Sequence, residues 1–382
     1  MLNTSNFLED LAALGLRDFF GVPDSLLSPF ISGIELRAEQ GLARLEITAN
    51  EGGAVGLAIG AHLASGAVSA VFMQNSGLGN AVNPLASLAS PKVYGTPMLL
   101  IIGWRGEMRD GVQLKDEPQH VLQGEITLGQ LDLLDTPYAI IHPEMGRASA
   151  QAAAARMIEL ARAENKPAAL VVRKDSFSKV AGPAKATDNK MTREAAIAAA
   201  LGALPDGPSI VGTTGKISRE IYELRQSLGI EIAAFLSVGG MGHASAIAAG
   251  IAMQAPERPV VCFDGDGATL MQAGNLATAA KQANLLHLVF NNQVHDSVGG
   301  QPTAAPDLRL CDLAGAMGYQ FTDRITEIDA IAPAINAALA TDHACFLEIM
   351  VAPGARSDLG RPRETPGQSK VAFMRATGAL ND

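Results

Sequence analysis

Three features of this sequence predict an α/β chain built from two doubly wound parallel-sheet domains. Short apolar runs of strand length alternate with longer helical stretches, which is the rhythm of βα units. The runs are almost continuously apolar, as strands covered on both faces are. A polar segment containing Pro and Gly, AGPAKATDNK, separates two such series, so one domain is expected over residues 1–180 and a second over residues 191–382, with the boundary near 181–190.

In chain order, the first series opens a helix over Glu51–Ser65, directly after the strand-like ITAN, where an acidic residue meets the positive end of the helix dipole. Strands are expected next over Val68–Met73 and Met98–Ile102, runs of apolar residues too short for a helix of ordinary length. The alanine-rich stretch Ala150–Glu164 reads as a helix feeding the strand Ala169–Val172. In the second series a helix is expected over Thr192–Leu204 and a strand over Ser209–Gly212. Val260–Phe263 and Leu285–Phe290 read as buried parallel strands joined by one helix over Ala268–Gln282, and Phe346–Val351 as the last strand. The tail from Pro353 to Gly367 is loop-like and carries Arg356, Arg361 and Arg363.

Composition narrows the function classes. With 382 residues and 48% hydrophobic content, the chain buries substantial cores. A formal net charge of -10 without a long Lys/Arg run argues against nucleic-acid or anionic-membrane partners, which leaves a small molecule. Cys262, Cys311 and Cys345 are too widely spaced to suggest a disulfide framework or a zinc site, and a reducing cytoplasm fits them. The amino terminus lacks the pattern of a secretory signal, and no apolar stretch is long enough to span a membrane. A cytoplasmic protein without a membrane partner is expected.

Chemistry concentrates at two places. Gly265-Asp266-Gly267 ends one apolar run, and Asn292 ends the next. A carboxylate and an amide carbonyl are hard oxygen ligands, and flanking glycines let backbone N–H groups approach phosphate, so this pattern suits a Mg²⁺-bound diphosphate. Both residues lie at carboxyl ends of strands, where open α/β sheets bind ligands. Glu51 lies in ITANEGGAVGLAIG; it either caps its helix or, desolvated in that apolar setting, shares a proton with a ring nitrogen.

The segments GVPDSLL, ANEGGAVGLAIG, QNSGLGN, GWRG, DEPQH, TTGKISRE, GGMGHAS, FDGDGATLM, NNQVHDSVGGQPT and DLGRP occur in order across nearly the whole chain. This set resembles the thiamine diphosphate-dependent 2-oxo acid decarboxylases, in particular the branch acting on substrates with a phosphonate or sulfonate headgroup. The resemblance implies a pyrimidine-binding domain followed by a diphosphate-binding domain, with domains of different subunits enclosing each cofactor, so that a homodimer is the smallest active unit. It implies thiamine diphosphate and Mg²⁺ as cofactors, with Asp266, Asn292 and the backbone carbonyl of Val294 as metal ligands. Gly265, Gly267 and Ala268 would contact the cofactor through their backbone. Gly240 and Met241 of GGMGHAS would support it from beneath, and Glu51 would face its aminopyrimidine.

Proton transfers after the bond-breaking step are assigned by the same resemblance to Asp24 and His120, with His295 beside the metal loop. Arg105 is the first choice for the anionic headgroup, with Asn75 and Ser76 as neutral donors, because a buried oxyanion needs cations and N–H or O–H groups. Arg109 and Lys115 share a loop with Arg105, while Arg356 and Arg361 belong to a tail that could cover the site. The expected reaction is decarboxylation of 3-phosphonopyruvate to phosphonoacetaldehyde and CO₂, a step of phosphonate biosynthesis. Sulfopyruvate, giving sulfoacetaldehyde, is the alternative substrate.

Overall fold

Residues 1–382 except 110, 183–189, 305 and 381–382 are described by a computed structural model, and most of the boundary expected near 181–190 therefore lies outside the described residues. The chain divides into two compact units, Met1–Lys185 and Ala186–Asp382.

In the first unit the strands are β1 (Asp18–Gly21), β2 (Arg44–Ile47), β3 (Ser69–Gln74), β4 (Met98–Gly103), a short hairpin β5 (Met108–Arg109) and β6 (Val112–Gln113), then β7 (Tyr138–Ile141) and β8 (Pro167–Val172). Six of them form one sheet in the order β2-β1-β3-β4-β8-β7 with every pairing parallel, and the hairpin stands apart as an antiparallel pair. The second unit has β9 (Ser209–Gly212), β10 (Ala233–Leu236), β11 (Val260–Gly265), β12 (Leu285–Asn291), β13 (Phe321–Ile325) and β14 (Cys345–Met350), all parallel in the order β10-β9-β11-β12-β14-β13. Leaving the hairpin aside, the two units share one strand order. In each, the order reverses beside the first strand, where such sheets open a crevice at the carboxyl ends.

Alternation along the strands builds a core on each face. Ala70 and Phe72 of β3 pack with Phe7, Phe30 and Ile101, whereas Val71 and Met73 point to the other face and pack with Val55, Leu78 and Ile102. In β11, Val261 and Phe263 join one cluster, while Val260 and Cys262 join the opposite one. Burying each such Leu, Ile or Phe contributes about 1.5–3 kcal/mol before the entropy of ordering the chain is subtracted.

The helix Glu51–Ser65 has the expected bounds; Asn50 accepts from Gly53 N at its start, and Gly66 closes its end at φ 69°. The stretch expected as one helix over Ala268–Gln282 is instead two short helices, Asp266–Met271 and Asn275–Ala279. The break falls at Gln272, which leaves helical geometry at φ -133° and ψ 48°, and Asn275 turns its side-chain N–H to the carbonyl of Gly242 at 3.1 Å. The loop-like tail ends earlier than expected, because Thr365 and Gln368 form a reciprocal cap that starts the helix Pro366–Ala376. Among the described residues no helix is long and apolar enough to cross a membrane.

Candidate active site

In the first unit, the residues singled out by sequence lie after the carboxyl ends of β1, β2, β3 and β4, with His120 in the loop beyond the β5–β6 hairpin. Glu51 is 5% exposed, and its Oε2 accepts from Asn80 Nδ2 at 2.7 Å. Burial pushes its carboxyl pKa up, and the Asn80 hydrogen bond only partly opposes this. Room for that carboxylate exists because position 77 is glycine: a Cβ there would lie 2.4 Å from Glu51 Oε1. Asp24, after β1, is fully buried and pushed up to about 6 by burial, against the attraction of Arg105 and the N–H of Leu27. It too depends on a glycine, since a Cβ on Gly103 would lie 2.1 Å from Asp24 Oδ2.

Arg105, at the end of β4, is clasped by Asp116: Nε donates to Oδ2 at 2.8 Å and Nη2 to Oδ1 at 2.6 Å, while Nη1 donates to Ser25 Oγ at 3.1 Å. The clasp raises the Arg105 pKa. Although burial opposes ionisation of Asp116, the guanidinium and the N–H groups of Glu117 and Gly106 hold its carboxyl far below the ordinary range. His120 is buried and lowered by that burial and by Arg105, so its ring is neutral near pH 7. Asp24 Oδ1 and His120 Nδ1 are both buried without a hydrogen-bond partner among the described residues.

Asn75 corrects an expectation. It is fully buried, and its side-chain N–H groups go to Arg105 O at 2.9 Å and Thr127 Oγ1 at 2.9 Å, while its Oδ1 accepts from Arg105 N at 3.3 Å. Asn75 therefore fixes the backbone of Arg105 and has no N–H left for a headgroup. Ser76 remains partly accessible and accepts from Gln74 Nε2 at 2.6 Å. Arg109 pairs with Glu107 at 3.0 Å.

In the second unit, Asp266 comes after β11 and Asn292 after β12. Asp266 is 4% exposed, and burial pushes it up to about 7, opposed only by the Thr303 hydroxyl, 3.1 Å from Oδ2, and by backbone N–H groups including those of Gly267 and Gln293. None of those groups carries a full positive charge. Asn292 donates through Nδ2 to Asp296 Oδ2 at 2.8 Å and accepts through Oδ1 from Val294 N at 3.2 Å. Val294 O accepts from Asp296 N at 3.1 Å and has a second lone pair. Gln293 between them sits at φ 63°, a left-handed conformation that its side chain disfavours. His295 is buried against Gly267, where a Cβ would lie 2.9 Å from His295 Cε1.

Gly265 and Ala268 flank the Asp266-Gly267 pair at the strand-to-helix turn, and half-buried Met241 stands between Gly240 at φ 66° and Gly242 at φ 88°. The tail reaches this loop at Gly354, whose N–H donates to the Asp296 carboxylate at 3.0 Å. Arg356 pairs with Glu194, Glu223 and Asp358, and Arg219 donates to the carbonyls of Leu359 and Gly360. A cavity of ≈ 450 Å³ lined by Pro259, Asn284, Leu285 and Cys345 lies at the amino ends of β11, β12 and β14, the opposite edge from these residues. Inside the second sheet, His287 Nε2 lies 3.4 Å from Asp264 Oδ2, an ion-pair separation without hydrogen-bond alignment, and Asp264 Oδ1 accepts from Gly265 N at 2.9 Å.

The chain is similar to known proteins over most of its length. Residues 4–133 match the thiamine pyrophosphate enzyme, N-terminal TPP binding domain, and residues 211–349 match the C-terminal TPP binding domain. The chain is 37% identical to phosphonopyruvate decarboxylase of Streptomyces viridochromogenes over 98% of its own length and 94% of that protein's. The chain belongs to the thiamine pyrophosphate enzyme family. Two other members are the phosphonopyruvate decarboxylase of Streptomyces hygroscopicus, 36% identical over 98% of this chain and 93% of that protein, and the sulfopyruvate decarboxylase of Methanosarcina acetivorans, 29% identical over 81% and 82%. As a thiamine pyrophosphate enzyme, this chain has two cofactor-binding domains whose expected site residues all lie at strand carboxyl ends or in the adjoining loops.

Sequence reasoning passed over Asn80, Asp116, Thr303 and Arg193. Asn80 lay in view within QNSGLGN, one turn of helix after Gly77. Asp116 lay likewise within DEPQH and Thr303 within NNQVHDSVGGQPT, whereas Arg193 falls outside those segments and meets Asp296 across 103 positions.

Proposed function

We propose that this chain is a thiamine diphosphate- and Mg²⁺-dependent carboxy-lyase that converts 3-phosphonopyruvate to phosphonoacetaldehyde and CO₂. The observation that carries this reading is the 37% identity to a phosphonopyruvate decarboxylase, sustained over 98% of the chain. The residues present fit the cofactor. Asp266 is a buried carboxylate with only neutral donors, and a divalent cation would supply the missing charge. Asn292 Oδ1 and Val294 O would add neutral oxygen ligands. Gly265, Gly267 and Ala268 leave backbone free of bulky side chains for a diphosphate, and Gly240-Met241 offers a soft apolar support.

When bound, thiamine diphosphate supplies a nucleophilic carbon and an electron sink for the departing carboxylate's electrons. Glu51, kept protonated more readily than an exposed glutamate, holds and returns the proton shared with the cofactor's ring nitrogen. Asp24, at about 6, is poised to donate a proton and take it back near neutral pH, and His120 presents an unpartnered ring nitrogen for the same work. His295, against Gly267, lines the metal side. Arg105, held by Asp116 and Asn75, presents its remaining N–H capacity and positive field to the headgroup, with Ser76 as hydroxyl donor. The chain acts in the cytoplasm as a homodimer or larger homo-oligomer, with each site completed by a partner subunit.

Sulfopyruvate is the second reading, favoured by the Methanosarcina acetivorans relative. One assay separates the two. Apo-protein given thiamine diphosphate and Mg²⁺ is expected to release CO₂ from phosphonopyruvate much faster than from sulfopyruvate or pyruvate, and a preference for sulfopyruvate overturns the substrate assignment. Glu51→Gln is expected to bind cofactor yet lose about 10²–10⁴-fold in turnover, the range for a positioned acid–base group. Unchanged turnover removes Glu51 from the mechanism.

A further inference from the structure

Arg193 opens the helix Arg193–Ala203, yet its side chain turns inward and is 4% exposed. Nε and Nη2 donate to the two oxygens of buried Glu220 at 2.8 and 2.9 Å. The remaining arm, Nη1, donates to Asp296 Oδ2 at 2.8 Å. That same oxygen accepts from Asn292 Nδ2 at 2.8 Å, and Gly354 N donates to the Asp296 carboxylate at 3.0 Å. A chain of contacts thus runs from a buried guanidinium, through one carboxylate, to the amide of a proposed metal ligand.

The two ends of an Asn amide have nearly the same shape, so its hydrogen-bond partners decide which end faces a ligand. The Asp296 carboxylate accepts from Arg193 Nη1 and, on the same oxygen, takes the N–H₂ end of Asn292, which turns Oδ1 towards Val294 N and the metal loop. Glu220 holds the guanidinium bidentately from behind, so the arm reaching Asp296 is fixed in direction.

We propose that Arg193, acting through Asp296, is a positioning residue for the divalent-cation loop, fixing the Asn292 amide with its oxygen towards the cation. This deepens the metal-site reading above and rests on it. Outer partners of this kind change metal affinity about 10–100-fold when removed. The test measures Mn²⁺ binding to apo-protein in the presence of thiamine diphosphate, by the electron paramagnetic resonance signal of free Mn²⁺. Asp296→Asn, close to Asp in shape, is expected to bind Mn²⁺ about 10–100-fold more weakly, with kcat largely recovered at high Mg²⁺ and substrate KM unchanged. Because Arg193→Met alone strands the buried Glu220 charge, the second variant is the double Arg193→Met/Glu220→Met, checked for folding by circular dichroism and expected to show the same weakening. Mn²⁺ affinity within about twofold of wild type in both variants overturns the inference alone. Absence of Mn²⁺ uptake by the wild type, or uptake undiminished in Asp266→Asn, sinks the metal site itself and this inference with it.

Discussion

Glu51 and Asp24 are both carboxyls held out of water, and each is admitted by a glycine that leaves space for it. For Glu51 the decisive neighbour is Gly77. Gly77→Ala puts a methyl 2.4 Å from Oε1, so the carboxylate must move or the turn must give. Overpacking of this kind destabilises by about 1–3 kcal/mol, and turnover is expected to fall further than stability because Glu51 is displaced from its proton partner. Urea unfolding and kcat measured side by side check this, and wild-type kcat in Gly77→Ala contradicts it. For Asp24 the sign of the pH effect is set by a folded pKa raised from 3.8 to about 6. Its contribution to stability is fully present below the unfolded value and is lost as pH rises through the folded one. A shift of about two units corresponds to about 3 kcal/mol, an upper figure for what ionisation costs the native state above pH ~6. Asp24→Asn is therefore expected to gain stability relative to wild type as pH rises from about 4 to about 7, with little difference below that window. Denaturation midpoints measured across it decide the matter, and a difference independent of pH counts against the burial argument.

Strands and their ends were legible because apolar runs such as MLLII and LLHLVF are too short for ordinary helices and too apolar for exposed ones. The turns and loops after the strands were less legible. The helix after β11 breaks at Gln272, which composition alone would keep helical, and Gln293 adopts a left-handed conformation that no residue type advertises. The clasp on Arg105 was missed because its partner, Asp116, lies beyond the hairpin β5–β6, so that only closure of the whole loop brings the two together. The Arg193–Asp296 contact spans 103 positions and has no local signature. That hairpin makes a prediction of its own. Asp116 joins both ends of the segment by accepting from Arg105 and from the N–H groups of Gly106 and Glu117, so Asp116→Asn is expected to lose about 1.5–3 kcal/mol, the range for a hydrogen bond to a charged group. Because its folded pKa is lowered, the clasp stabilises above the ordinary carboxylate pKa and weakens only as pH falls below it. Faster proteolysis between residues 107 and 115, together with a higher KM for the anionic substrate, is the expected signature. An unchanged KM separates Arg105 from headgroup binding.

Two units with one strand order, each carrying half of the expected chemistry at its strand ends, set a problem that a single chain need not solve alone. If each site joins the Glu51 half of one subunit to the Asp266 half of its partner, lesions in the two halves must complement. A dimer pairing a Glu51→Gln subunit with an Asp266→Asn subunit collects both lesions in one site and leaves the other intact. Random reassociation of equal amounts makes half of all dimers hybrid, so the mixture is expected to reach about a quarter of wild-type turnover although each parent is nearly inactive. Hybrids isolated with two different affinity tags are expected to reach about half. If both halves of a site come from one chain, every site in the hybrid carries one lesion and the hybrid stays as inactive as its parents. Tag-purified hybrids make the outcome independent of how completely subunits exchange, so their activity alone distinguishes a site shared between subunits from one contained within each.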